Sequence, residues 1–467
     1  MSNMSPSAVP QFHVKKIAII GAGPSGLSAA KYLRAQNSFD SIVIFEQQKE
    51  TGGIWNCSKH PLVSTTIPKD DRLKLTNNFI GDSSSTLSPI YDQLYANIPI
   101  PMMRFSDQHF PQGTLLFPSR EVIQAYLLTY AQEVMSLIKF GVEVQQLEPL
   151  CEGTRTTWAL EAKSAHDNQT IRNTYDAVVV ATGHYSVPFI PDVKNIKEFM
   201  ETHPSIISHS RDYRSPTSFK DKKTIVVGNG ASGTDIALQI NRVSHRKIMV
   251  SVRSPTPQPR LAYMACEEVP EIEEFLVDQR GIRFKDGRIE TEIDAVIFCT
   301  GFLYDYPFLR DLNKKLITTG GGVHGLYKHI FCIDHPTLVF PALNVKTAPW
   351  PLSEAQAAVF SAVWSNNIQL PSKDRMQEWA KKLYEDEGEQ LHIFRTSSSD
   401  GLYINELYDW VMKSHHKGKE PPFCTDISFW QKHIFPQAKL KFEKDGYKAT
   451  SLEELGFYYE EDWRTKV

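Results

Sequence analysis

Two stretches of this chain have the residue spacing that holds a phosphate. Gly21, Gly23 and Gly26 in IAIIGAGPSG, and Gly228, Gly230 and Gly233 in VVGNGASGTD, both spell G-x-G-x-x-G. In such a turn the first glycine permits the tight bend, the second lets backbone amides approach a pyrophosphate, and the third lets helix and strand pack closely. Ala22, Pro24 and Ser25 fill the first turn, and Ser232, Thr234 and Asp235 complete the second. Glu46 ends the next β-rich run of the first unit, where a carboxylate can accept hydrogen bonds from a ribose. Arg253 ends the corresponding run of the second unit. A guanidinium there fits a 2′-phosphate in a fork, whereas a carboxylate would repel it. The second site therefore reads as one for NADP(H), with a solvated strand-end charge as the alternative for Arg253.

The elements around these residues must be strands and helices in alternation. Ile17–Ile20 is a short apolar run of the kind buried in a parallel sheet, and Leu27, Ala30 and Leu33 then recur at helical spacing. Residues 41–45 form the second strand. In the second unit, residues 224–227 enter the turn, Ile236, Ile240 and Val243 mark the helix face, and residues 247–252 form the next strand. Both units close alike, with AVVVATG from Ala177 to Gly183 and AVIFCTG from Ala295 to Gly301. This internal repeat gives the fold class. The chain is expected to be α/β, with two Rossmann-like dinucleotide-binding domains and the NADP domain inserted in the FAD domain. The expected boundaries are a flexible N-terminus at 1–14, an FAD-binding domain at 15–185 and 301–467, and an NADP-binding domain at 186–300. An insertion spanning much of 50–150 separates the parts of the first unit. Two dinucleotides in one chain imply a hydride passed between them, and the acceptor that fits the first turn is FAD.

Composition removes other classes. With 51 Lys and Arg against 54 Asp and Glu, there is no basic excess to neutralise nucleic-acid phosphates. No apolar run approaches the roughly 18 residues of a membrane helix, and the polar opening MSNMSPSAVPQFH has no apolar signal core. The six cysteines are scattered without a C-x-x-C pair, which argues against a zinc site, a disulfide framework and a dithiol redox centre. The sequons at Asn56 and Asn168 are then coincidental. The expected setting is cytoplasmic, with attachment to an organelle surface left open.

Several further motifs, taken in order, carry a family resemblance: VIFEQ, GGIW (Gly52 to Trp55), YDQLYANIP (Tyr91 to Pro99), LFPSR (Leu116 to Arg120), ATGHYSVPFIP (Ala181 to Pro191), SHSRDY (Ser208 to Tyr213), CTGFLYDYPF (Cys299 to Phe308) and APWPLSEAQAA (Ala348 to Ala358). With the two glycine turns, the chain resembles the flavin-containing monooxygenases, most like the short soluble forms of fungi, from about residue 15 to at least 365. The resemblance implies that Gly21 to Ser25, Glu46, Gly53, Ile54 and Trp55 hold FAD. It places Asn97 close to the reacting edge of the flavin as the catalytic side chain, with backbone contacts from Ala96 and Ile98, and an amide from Val144 on the adenine. Ser232 to Asp235 would line the NADP site. Read from the residues alone, Trp55 could be core and Asn97 a turn residue before Ile98-Pro99. Ser353 to Gln356 has the Ser-x-x-Gln pattern of a capping box, whose helix would face the flavin. His209 and Tyr213 keep the end of the family signature, but His203 and Ser205 stand where its upstream aromatic and glycine belong.

The activity implied is an NADPH- and O2-dependent oxygenation of soft nucleophiles (thiols, thioethers, amines) through a hydroperoxyflavin, with no side-chain nucleophile or metal. Three alternatives stand beside it. A Baeyer–Villiger monooxygenase shares the two-turn plan, but Tyr213-Arg214 stands where that signature has tryptophan. A dithiol reductase lacks its C-x-x-C, and a non-catalytic dinucleotide-binding redox sensor needs no reactive site. The expected partners are a small-molecule nucleophile and O2; a homo-oligomer is left open. Beyond residue 370, a charged helix is expected from Asp374 to Tyr384, ended near Gly388. The aromatics Trp430, Phe435, Phe457, Tyr458, Tyr459 and Trp463 read as core or as a partner surface.

Overall fold

The strands that the apolar runs predict form two separate parallel sheets. The computed structural model describes residues 11–56, 88–153, 155–416 and 418–465. Residues 1–10, Cys57 and most of the sequon at 56–58 lie outside them. The described chain divides into two compact units: residues 11–56, 98–184 and 304–465 form the first, and residues 88–97 and 185–303 the second.

In the first unit, Lys16–Ile20 sits between Ser41–Glu46 and Ala177–Val180, parallel to both, with Ile17 opposite Ile42 and Ala177. Ile138–Phe140 extends the sheet in parallel on one side and Leu338–Val339 on the other, beyond which Phe331–Cys332 and Leu326–Tyr327 add an antiparallel edge. Ile17 to Ile19 are fully buried, as a strand covered on both faces must be. The long insertion supplies the helix Arg120–Ala131 and an antiparallel sheet, Val142–Glu152 with Arg155–Ser164 and Thr170–Tyr175. Trp158 and Leu160 of that sheet share a core with Phe45 and Val180.

The helix Pro349–Trp364 packs on Pro24–Ala35, and from Leu352 to Trp364 every residue is buried. Its polar side chains, Ser353, Glu354, Gln356 and Ser361, are buried with it and find hydrogen-bond partners inside the protein. The helix begins at Pro349, with Ala348 as its N-cap, so the expected capping box does not exist. Ser353 is an interior residue whose hydroxyl bonds the Pro349 carbonyl one turn back. Proline at the first helical position outweighs the Ser-x-x-Gln signal, because its fixed φ is already helical. Near the end, the charged helix runs Lys373–Glu387 and stops at Gly388, with φ 61°. Trp430 is buried, Tyr459 and Trp463 both donate to Asp426, and Tyr458 is exposed.

In the second unit, Thr224–Val227 lies between Met249–Ser251 and Ala295–Phe298 in parallel, with Glu267–Val269 and Ile207–His209 outside them. The strand expected over 247–252 is thus shorter at both ends. Ala231–Val243 is the crossing helix, buried through Ile236, Ala237 and Ile240.

Candidate functional site

The two glycine turns are one device built twice. Gly21 and Gly228 both have φ near +103°, a backbone that favours glycine. A Cβ on Gly26 would stand 1.9 Å from the Gly21 carbonyl oxygen, and one on Gly233 would stand 1.9 Å from that of Gly228. Each turn also backs onto the end of its closing strand: a Cβ on Gly21 would lie 2.6 Å from the Ala181 oxygen, and on Gly228 2.8 Å from the Cys299 oxygen.

Both helices begin at a glycine N-cap, Gly23 and Gly230, in extended backbone, with no side-chain cap and no acidic residue in the first turn. First-turn amides have no partner within their helix. Together with the helix dipole they make a seat for an anion. The space over Gly230 is open to 4 Å. These turns therefore fit the pyrophosphate of a dinucleotide.

Several of the residues expected at the first site come together. Glu46 is 4% exposed and accepts the amides of Ala22 (2.7 Å) and Gln48 (2.8 Å), so it braces the turn, and burial raises its pKa. A carboxylate has about four acceptor positions, which leaves room for ribose hydroxyls. Gly53, Ile54 and Trp55 form a short 3-10 turn against the glycine loop: the Gly52 amide bonds the Ala22 carbonyl, and a Cβ on Gly23 would meet the Gly53 Cα at 3.5 Å. Trp55 is half-buried and is not core. Ser25 faces the buried helix, 3.0 Å from the Ser353 hydroxyl. Because Ser353 donates to Pro349, Ser25 is the donor between them. Val144 is buried on its strand opposite Ala162. Gln124 was not signalled by any motif. Its amide donates to the Thr51 carbonyl, and its oxygen lies where a Cβ on Gly52 would fall, 2.2 Å away.

At the second site the residues part company. Ser232 is exposed at the turn. Thr234 is buried and bonds the Gly230 and Ala231 carbonyls of its own helix. Asp235 accepts Tyr91 and Gln239. Arg253 is exposed two residues beyond its strand, and Asn229 ties that loop to the glycine turn through the Ser254 carbonyl and Thr256 hydroxyl. Asn97 is exposed at a bend, with Ala96 buried before it and Ile98 half-buried after it.

Nothing at either turn is equipped for acid–base or thiol chemistry. His209 is fully buried, caps the turn that follows it by accepting the Arg211 amide, and is held down at a pKa of about 3 by burial. Burial pushes the Cys299 and Cys266 thiols up to about 12. Among the described residues no cluster of metal ligands occurs.

A family model described as flavin-binding monooxygenase-like matches residues 14–257 and 265–420. The flavin-containing monooxygenase FMO GS-OX-like 4 of Arabidopsis thaliana is 28% identical, over 92% of each chain. The thiol-specific monooxygenase of Saccharomyces cerevisiae is 30% identical, over 76% of this chain and 78% of its own. Among solved structures, the S-allyl-L-cysteine S-oxygenase of Allium sativum superposes with a TM-score of 0.75 at 26% identity, covering 98% of both chains. The chain belongs to the flavin-binding monooxygenase-like family and is an enzyme, a monooxygenase that uses FAD and NADPH.

Proposed function

We propose that this enzyme transfers one oxygen atom from O2 to a soft nucleophile, with sulfur in a thiol or thioether preferred over an amine nitrogen. The observation that carries the reading is the pair of matching, uncapped glycine turns, which fit two dinucleotides. With them goes the absence, among the residues described at those turns, of a titratable pair suited to acid–base work. The sulfur preference is supported by relatives named as a thiol-specific monooxygenase and an S-oxygenase.

In this reading Gly21 to Gly26, Glu46, Gly53 to Trp55 and Val144 hold FAD, and Gly228 to Thr234 with Arg253 hold NADPH. FAD held there would supply the redox chemistry that activates O2. Asn97 donates a hydrogen bond at the reacting edge, with Ala96 and Ile98 contributing backbone contacts. The first-turn amides of each helix orient the pyrophosphates, and Arg253 selects the 2′-phosphate. No side chain acts as a nucleophile. A cytoplasmic location belongs to this proposal; no helix among the described residues is long and apolar enough to cross a membrane.

The test is to supply NADPH, O2 and, in turn, a thiol, a thioether, an amine and a ketone, and to weigh the products. A sulfoxide from the thioether, or a sulfenic acid from the thiol trapped before it condenses with a second thiol to a disulfide and water, is expected, with one NADPH consumed. A lactone or ester from the ketone alone would replace this reading with Baeyer–Villiger chemistry. NADPH oxidation without any oxygenated product would leave an oxidase or a redox sensor.

A further inference from the structure

We propose that Tyr91, Asp235 and Gln239 form a latch that positions Asn97, and that Asp235 serves this latch rather than the dinucleotide. The inference rests on the role given to Asn97 above, but its geometry is independent of it. Asp235 lies one turn into the Ala231–Val243 helix. Its Oδ2 accepts the Tyr91 hydroxyl at 2.5 Å and the Gln239 side-chain amide, four residues on, at 3.0 Å. Hydroxyl bonds to a carboxylate are short and strong because the acceptor is charged. The Gln239 oxygen in turn accepts the Tyr213 hydroxyl at 3.1 Å, and its nitrogen also reaches the Gln93 carbonyl at 3.4 Å.

The rings reinforce the hydrogen bonds. Tyr91 and Tyr213 meet edge to face, with centroids 5.2 Å apart, and each is 4% exposed. Both belong to the core around Ile236 and Ile240, against which Leu94 also packs. The Asp92 amide adds a backbone bond to the Arg214 carbonyl. Residues 91–94 are thus pinned by a phenol, a ring, a leucine and two backbone groups. Asn97 follows three residues later, within about 10 Å of chain. It is exposed at a bend, with no regular structure of its own. On its N-terminal side its position therefore depends on how residues 91–94 are held.

The network has a specific weak point. Tyr91→Phe keeps the ring and the core contact but leaves the Asp235 carboxylate without its buried hydroxyl partner. The segment then stays folded but moves more, and the alignment of Asn97 relaxes. These are positioning residues, so the readouts are coupling and local exchange rather than turnover alone.

The experiment uses full-length Tyr91→Phe and Asp235→Asn, with Asn97→Ala alongside. Peroxide released per NADPH oxidised is measured in the presence of a thiol substrate. Amide hydrogen exchange is followed in the peptide covering 88–99 with no NADP+ or substrate present. Tyr91→Phe is expected to raise the peroxide share several-fold, to speed exchange in 88–99 about tenfold and to leave FAD content and the NADPH KM within twofold. Asp235→Asn, which still accepts the phenol, is expected to fall between it and the wild type. Wild-type exchange in both latch variants overturns the latch. So does unchanged coupling in both while Asn97→Ala uncouples. If Asn97→Ala stays coupled, the role of Asn97 falls instead, and the exchange rates still decide whether the latch holds the segment.

Discussion

At the scale of single residues, the useful distinction is between side chains that face a ligand and side chains that hold the turn. Glu46, Ser25 and Thr234 all sit in phosphate-turn motifs, yet each spends hydrogen bonds on its own protein. Arg253 is different: it is exposed, two residues past its strand, on a loop tied to the glycine turn by Asn229. If it receives the 2′-phosphate, Arg253→Ala removes charge-assisted hydrogen bonds worth about 1.5–3 kcal/mol. Steady-state kinetics should then show the KM for NADPH rising roughly ten- to a hundredfold, with that for NADH unchanged. An equal rise for both would place Arg253 outside cofactor choice. The glycine spacing and Glu46 were legible in the sequence because backbone geometry dictates them locally. Gln124 and the partners of Asp235 were not, since contacts between residues 73 and 144 positions apart leave no periodic trace.

At the scale of elements, the Pro349–Trp364 helix shows how a correct motif can be misplaced. Its Ser-x-x-Gln pattern suggested a start at Ser353, but proline at 349 begins the helix earlier and turns Ser353 and Glu354 inward. Glu354 is fully buried and accepts the Ser106 amide and hydroxyl, both at 2.8 Å, with Lys419 3.7 Å away. Burial dominates and raises its pKa to about 7, from 4.5. A folded-state pKa above the unfolded one means that the folded protein binds the extra proton. The resulting stability is fully present below about 4.5 and is lost as pH rises through about 7. The full span corresponds to roughly 3 kcal/mol. Urea unfolding at pH 5 and pH 8 should show the wild type losing stability over this range by about that much more than Glu354→Gln does. Parallel slopes would mean that Ser106 and Lys419 keep the carboxylate ionised throughout.

At the scale of the whole molecule, each compact unit has its own sheet built on a parallel centre and its own apolar cores. The repeat made the two sheets readable, because buried parallel strands announce themselves as continuous Val and Ile runs. Residues 88–97 were harder to place. They lie between the GGIW motif and the Ile100–Met103 helix in sequence, yet they pack on the second unit through Tyr91 and Leu94. Ligand should respect the same division. NADP+ at a hundred times its dissociation constant adds about 2.7 kcal/mol to whatever binds it. Hydrogen exchange should therefore slow first in peptides from 224–260, around the second turn. Protection confined to the first turn would reverse the assignment of the two sites.

The two parallel sheets also differ in when they can be completed. All five strands of the second lie between Ile207 and Phe298. The first cannot be finished until Leu338 and Val339 arrive to pair with Val178 and Val179, some 160 residues after the strand they join. A chain emerging from the ribosome would therefore hold all the strands of the second sheet while the edge of Ala177–Val180 still waited, bare and apolar. That interval, in which an apolar strand edge has no partner, is the opening for wrong pairing and aggregation.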